Sequence, residues 1–505
     1  MKKAAIIFLF CVLPFLQMFA QEKMTCDNIV ETNWISALKN VEIPSTKDGA
    51  VWRALIHKTI RKTLQPLVVD LDTWNNDSTQ ENLLIKEIMA RGWNYIHPNL
   101  EGVNQEMNMA DSLEMLAHIE GAIQYALKQT NADPNDVHII GSGKGSIATL
   151  VSYMNLNYPV KSFSIWGSLN VDSLLEHPCV IEKRKDAQLF IYANMNSGDE
   201  DSLSVTPSLD LYNRLVGELK YGTWSMDEIR MEAVNDPSLI SCHEILDLLG
   251  KRSNFDCKKN RKMFGCDVYL IRKYNNIQLV VFESDYKQIP QALGLVPYNK
   301  TVDLKYDILT IGDSNGQKKD GWVAQLKKML PRSTIINNSE AGRAIGFDNN
   351  GAERLNGLKN INLYLDQAQA EKQRYDYIIL CLGTNDTKRM FEARQNEVIL
   401  NFEKLLDKIK SHNLYKDSNT KLIFVTPPPL RGKDISSKFQ GSRQRLNNLI
   451  PKLMSVASQQ NFSVIDVYHP LLGILDYYAT DGVHMAGAGQ EIIASKIICT
   501  IMDKK

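Results

Sequence analysis

DILTIGDSNG (307–316) is the stretch from which the rest of the chain can be read. Ile308, Leu309 and Ile311 put apolar side chains on both faces of a short run, as a strand covered on both sides requires. Gly312-Asp313-Ser314-Asn315 follows without a spacer, and residues 319–330 show helical patterning. A serine on the turn that leaves a buried strand, with glycine beside it, is presented over the sheet edge. Further runs of the same kind follow at STIINN (333–338), DYIILCLG (376–383), KLIFVTP (421–427) and FSVIDV (462–467), with a second clear helix over 396–411. Strand and helix alternate, so a parallel, doubly wound sheet is expected.

The first part of the chain repeats this alternation. PLVVDL (66–71), NYIHP (94–98), DVHIIG (136–141), SFSIWG (162–167), QLFIYA (188–193) and IQLVVFE (277–283) are strand candidates. Residues 111–130 carry Leu113, Leu116, Ile119, Ile123 and Leu127 at helical spacing. LVPYNKTVDLKY (295–306) separates the two series and is the expected linker. No Gly/Ser or Pro tract marks a loose tether, so two packed α/β halves are expected. At 505 residues the chain is long enough for two or three cores.

Four short blocks in the second series fall at strand ends or before the last helix, where ligands bind in open α/β sheets. They are Gly312-Asp313-Ser314-Asn315, Asn338-Ser339-Glu340-Ala341-Gly342-Arg343, Gly383-Thr384-Asn385-Asp386 and Asp481-Gly482-Val483-His484. A serine hydroxyl is a weak nucleophile until a base takes its proton, and histidine suits that task at neutral pH. The imidazole needs an acceptor on its other nitrogen, and Asp481 lies three residues before His484 across a Gly-containing turn. An anionic tetrahedral intermediate needs fixed donors, which the backbone amides of Ser314 and Gly342 and the side-chain amide of Asn385 can supply. The loop GFDNNG (346–351), with Arg343 before it, is either the lining of a polar substrate groove or a surface turn of Asn and Gly.

On these blocks residues 305–505 resemble the SGNH/GDSL hydrolase family. The resemblance implies a flavodoxin-like three-layer α/β/α fold, no metal and no cofactor. It also implies ester hydrolysis through an acyl-Ser314 intermediate, with Asp481 and His484 as relay and Ser314, Gly342 and Asn385 as oxyanion hole. Asn315 stands where the family commonly has Leu.

GWNYIHPNLEG (92–102) and VHIIGSGKGS (137–146) resemble the α/β-hydrolase fold, in its peptidase and acetyl-esterase branch, over roughly 50–295. That family places serine at the tip of a Gly-x-Ser-x-Gly elbow. Between Gly141 and Gly145 the tip here is Gly143, with Ser142 and Ser146 out of register. The place of the late histidine holds Tyr286 in Phe282-Glu283-Ser284-Asp285-Tyr286, and the acid loop should fall in NMNSGDED (194–201). A non-catalytic hydrolase-like half over 21–298, followed by an SGNH half over 303–505, is the expected division.

Lys2 and Lys3 before the apolar run Ala4 to Leu16, with Ala20 beyond it, read as a signal peptide over 1–20 and imply a secreted or periplasmic protein. The run is too short for a comfortable membrane span. Fifty-eight basic residues balance 58 acidic ones, so no global field attracts nucleic acid or an anionic membrane. Cys381 and Cys499 sit in apolar runs as expected buried thiols, whereas Cys242, Cys257 and Cys266 cluster and offer one bridge. Trp74, Trp93, Trp166 and Trp224 either pack in the core, the commoner use, or line a sugar-binding face. Export, charge balance and the lack of a long apolar lid favour a short-acyl esterase, specifically a carbohydrate O-acetylesterase acting on an acylated carbohydrate or small ester. Lipid or thioester hydrolysis within the same family is one rival. A non-catalytic glycan-binding protein is the rival from another class.

Overall fold

The computed structural model describes residues 38–44, 51–72, 83–100, 109–166, 186–195, 205–251, 261–263, 266–283, 301–416, 419–479 and 481–502. The signal segment, Trp74, Cys26, Cys179, Cys257, most of the 194–201 acid loop, Tyr286 and the first half of the expected linker lie outside them.

The first half is built on a ten-stranded sheet. Its strands are β1 (Lys39–Pro44), β2 (Val51–His57), β3 (Gln65–Asp70), β4 (Asn94–Pro98), β5 (Ala132–Ser142), β6 (Ser162–Trp166), β7 (Gln188–Asn194), β8 (Arg261–Met263), β9 (Cys266–Tyr274) and β10 (Ile277–Glu283). They lie in the order β1-β2-β4-β3-β5-β6-β7-β10-β9-β8. The strands from β4 to β10 across the centre are parallel, as expected, but the sheet is not parallel throughout. β1-β2-β4 and β10-β9-β8 are antiparallel edges. The edge strands mix charged and apolar residues because they are less covered, so they carry no continuous apolar run. β9 and β10 are joined by Asn275-Asn276, with Asn275 at φ 48°, the left-handed backbone that a two-residue hairpin turn uses.

Helices cover both faces of this sheet. On one lie α2 (Met109–Gln129), α3 (Lys144–Asn155) and α4 (Thr206–Tyr221), which bury Ile119, Ile123, Val151, Leu209 and Leu215 among the strand residues. The other face is covered by α1 (Leu83–Arg91), through Leu84, Ile85 and Ile88 against Val68, Tyr95 and Trp166. Trp93 and Trp166 are core residues, while Trp224 is partly exposed and stacks on Tyr221 at 4.2 Å between ring centres. Cys242 is an exposed free thiol and takes no part in the one bridge that Cys242, Cys257 and Cys266 offered; Cys381 and Cys499 are buried thiols. His138 is buried in β5 between the Ser162 hydroxyl and Asp136.

In the second half β11 (Asp307–Gly312), β12 (Thr334–Ser339), β13 (Tyr377–Cys381), β14 (Lys421–Val425) and β15 (Ser463–Ile465) form a five-stranded, fully parallel sheet in the order β12-β11-β13-β14-β15. This is the flavodoxin order, whose switch point lies beside β11 and β13. The first strand is followed by the short α5 (Ser314–Gln317) and then α6 (Trp322–Met329). α6 packs against the C-terminal α11 (Gly487–Met502) on one face, where Trp322 and Leu326 meet Ile493 and Ile497. On the opposite face α7 (Gly357–Glu371), α8 (Gln395–Ser411) and α9 (Ser442–Gln459) bury Ile361, Phe402 and Leu453. The two halves touch through α1, which packs on α11 and on residues Tyr468–Leu472.

Candidate active site

Ser314 opens α5 directly after β11, and Asp313 caps that turn by accepting the Asn315 N–H at 2.9 Å. His484 reaches it from the turn before α11: His484 Nε2 lies 2.8 Å from the Ser314 hydroxyl oxygen. His484 Nδ1 lies 2.6 Å from Asp481 Oδ2, and Asp481 Oδ1 also accepts the main-chain N–H groups of Val483 and His484 at 2.9 and 2.7 Å. With Nδ1–H donated to the carboxylate, Nε2 is left to accept the serine proton. Burial pushes the Asp481 carboxyl up, but the hydrogen bonds from His484 and Val483 outweigh it and hold it below the usual carboxylate range.

The remaining blocks lie at the ends of the neighbouring strands β12 and β13, opposite Gly312 in the sheet register. Gly342 has φ +86°, and a Cβ there would meet Asn349 Nδ2 at 3.1 Å and Leu355 Cδ1 at 3.2 Å, so the position demands glycine. Asn385, 4% exposed, donates through Nδ2 to the Arg343 carbonyl at 3.1 Å, which ties its amide to the residue after Gly342. An amide nitrogen carries two hydrogens, leaving one for another acceptor. Among the described residues neither the Ser314 nor the Gly342 N–H has an acceptor.

The GFDNNG loop is neither an exposed lining nor a plain surface turn. Only its tip is exposed; Phe347 and Asn349 are buried. Asn349 Nδ2 donates to the Gly342 carbonyl at 2.6 Å, and its Oδ1 accepts from the buried Lys388 ammonium at 3.0 Å. Burial lowers the Lys388 pKa. Arg343 is likewise buried, its guanidinium stacked 4.0 Å over the Tyr364 ring and donating to the Asn338 carbonyl. Asp386, adjacent to Asn385, accepts the Ile345 N–H on both oxygens at 2.9 Å. Burial outweighs those bonds and pushes its carboxyl up to about 7. These side chains brace the Gly342 segment from behind.

Gln490 on α11 is fully buried and ties the serine turn to the histidine turn. Its Nε2 donates to Asn315 Oδ1 at 2.7 Å and to the Met485 carbonyl at 3.2 Å, while its Oε1 accepts the Trp322 N–H at 3.1 Å. Asn315, polar where the family commonly has Leu, thus has its partner here. Truncation would strand several buried polar groups at once, each costing about 1–3 kcal/mol. Gln490→Ala is accordingly expected to lower the unfolding free energy by about 2–4 kcal/mol, read from urea melts, and an unmoved midpoint contradicts this.

Residues 309–492, which contain all five residues singled out from the blocks, match the GDSL-like Lipase/Acylhydrolase family. The protein is a serine ester hydrolase through this C-terminal domain. Among solved structures, a carbohydrate acetylesterase family member from Sinorhizobium meliloti is 19% identical, covering 39% of this chain and 99% of its own, with a TM-score of 0.33. The native aryl esterase of M. Smegmatis is 22% identical, covering 39% and 98%, with a TM-score of 0.33. Comparison with curated proteins finds no match.

Proposed function

We propose that the protein is an exported esterase that removes short acyl groups, acetyl above all, from carbohydrate, with Ser314 as nucleophile, His484 as base and Asp481 as its orienting acid. The observation that carries this reading is the unbroken hydrogen-bond chain from the Ser314 hydroxyl through both ring nitrogens of His484 to Asp481. His484 Nε2 takes the hydroxyl proton as Ser314 Oγ attacks the ester carbonyl. The oxyanion is received by the Ser314 and Gly342 N–H groups and the Asn385 amide. Collapse expels the sugar hydroxyl, which takes the proton from His484, and leaves acyl-Ser314. Water, deprotonated by His484, then releases the acid and the free serine.

The surroundings favour a polar leaving group. Gln317, Lys318 and Lys319 after Ser314 are exposed, and the Glu340–Arg354 ion pair flanks the Gly342 segment. Lys2, Lys3 and the apolar run behind them support export. Among the described residues no helix is long and apolar enough to cross a membrane. Hydrolysis of p-nitrophenyl acetate, butyrate and octanoate in parallel, with acetate release from acetylated glycans, tests the substrate class. Turnover confined to the octanoate ester would overturn it.

The N-terminal half reads as an α/β-hydrolase that has lost its chemistry. Its strand order, up to β10, and the tight turn between β5 and α3 support this. Gly143 at the tip has φ 50° and ψ −120°, strained backbone of the kind a nucleophile elbow uses. A Cβ on Gly145 would lie 2.1 Å from the Leu71 carbonyl, whereas one on Gly143 would meet nothing within 4 Å. These features support an elbow whose tip carries no side chain. The adjacent serines are occupied elsewhere: Ser142 donates to Asp72 at 2.6 Å, and the buried Ser146 donates to the Trp166 carbonyl at 2.9 Å. In full-length Ser314→Ala protein a serine-directed phosphonate is expected to leave both unlabelled by peptide mapping. A labelled Ser142 or Ser146 contradicts the inactive reading.

A further inference from the structure

Asp481 and His484 stand on a turn fastened at its base by main-chain bonds. The Gly482 N–H donates to the Ala479 carbonyl at 2.9 Å, and the Ala486 N–H donates to the Tyr478 carbonyl. Tyr478 and Ala479, at the end of α10 (Leu475–Tyr478, between α9 and α11), therefore set where His484 stands. Tyr478 also backs the turn from below, since a Cβ on Gly489 would lie between Met485 and Tyr478.

Part of what holds Tyr478 and Ala479 comes from the other half of the chain. Ala90 of α1 is buried in the same apolar cluster as Leu475, Tyr478 and Ala479. Beside it Arg91 is 1% exposed, with Nε 3.3 Å from Glu87 on its own helix and Nη1 3.5 Å from Glu491 on α11. The guanidinium also lies 4.7 Å over the Trp93 ring. A charge this deep needs its partners in place, so it favours the alignment of α1 that brings Glu491 to Arg91. Glu491 directly follows Gln490, the residue that clamps the Met485 carbonyl and Asn315. The same ion pair therefore bears on both sides of the Ser314–His484 contact.

We propose that Arg91, contributed by the catalytically silent half, is a positioning residue for His484, and that α1 is a working part of the esterase site. This rests on the reading of Ser314 and His484 as nucleophile and base. A displacement of order 1 Å in a reacting group lowers turnover by up to about a hundredfold, and such a loss falls on kcat rather than on binding of a small ester.

The test uses the full-length protein and p-nitrophenyl acetate, with folding checked by circular dichroism at the assay temperature. Arg91→Met combined with Glu87→Gln removes the cation together with the charge of the carboxylate 3.3 Å from it. It is expected to stay folded, to lose about tenfold in kcat and to keep KM within about twofold. Arg91→Lys retains the charge but loses the planar fork that meets Glu87 and Glu491 and stacks on Trp93, so its kcat is expected to fall between those of the double variant and wild type. A folded double variant with wild-type kcat, or one changed in KM alone, overturns the proposal. If the double variant does not fold, Glu491→Gln on the less buried side decides: a kcat reduced about threefold or more supports the brace, and an unchanged kcat overturns it. Ser314→Ala separates the two readings. Turnover abolished there but unaffected in the Arg91 and Glu491 variants sinks the brace alone, while turnover surviving in Ser314→Ala sinks the assignment of the site.

Discussion

Ser314→Ala is expected to lose at least about four orders of magnitude in kcat on p-nitrophenyl acetate while unfolding at the wild-type temperature. In the proposed mechanism the Ser314 oxygen takes the acyl group, and no neighbouring side chain is placed to replace it. Asn315 is buried and clamped by Gln490, and Asp313 is buried as the cap of the turn. Ser314 itself is only partly buried, so removing its oxygen leaves no cavity of consequence. His484→Ala is expected to lose a comparable amount, because residues that act as one unit fail together. Steady-state rates with thermal melts on the same samples check both. Residual turnover above a few per cent in Ser314→Ala would mean that another residue carries the acyl group.

Asn385→Ala is expected to lower kcat by about a hundredfold to a thousandfold with a smaller change in KM, the usual result of removing one oxyanion donor. The side chain has a second task, since its Nδ2 donates to the Arg343 carbonyl and holds the residue after Gly342. Asn385→Asp separates the two tasks. It preserves shape but turns a donor into an acceptor, so it should repel both the oxyanion and the Arg343 carbonyl and be at least as slow as the alanine variant. A fall in kcat/KM that comes wholly from KM would place Asn385 in ground-state binding and outside the oxyanion hole.

How far the sequence could be read depended on where the information lies. The central strands of the second half, β11, β13 and β14, stand within a residue or two of their apolar runs because parallel strands covered on both faces are largely apolar. The edges of the first sheet were not legible on that ground. β1, KNVEIP, and β9, CDVYLIRKY, carry charges between their apolar residues, and the expectation of an all-parallel sheet failed there. Ser314, Gly342, Asn385, Asp481 and His484 were visible because each sits in a short block at a strand end or before the last helix. The braces behind them were not. Lys388 lies 39 residues from Asn349, and Gln490 lies 175 from Asn315. A buried amide or ammonium whose partner is that distant leaves no local pattern. The GFDNNG loop misled for a related reason: Asn and Gly usually mark exposed turns, but here Asn349 is turned inward by the acceptor it finds at Gly342. Nothing local in the sequence marks Arg91, and the contact of α1 with the C-terminal half shows what it touches.

In the proposed mechanism the acyl group passes through Ser314. The direct measurement is an acid quench of the enzyme during turnover of p-nitrophenyl acetate, followed by peptide mass mapping of the trapped acyl-enzyme. Acetate is expected on the peptide containing Ser314 and nowhere else, and none in His484→Ala protein. Acetate on Ser142, Ser146 or any other side chain during steady turnover would contradict it.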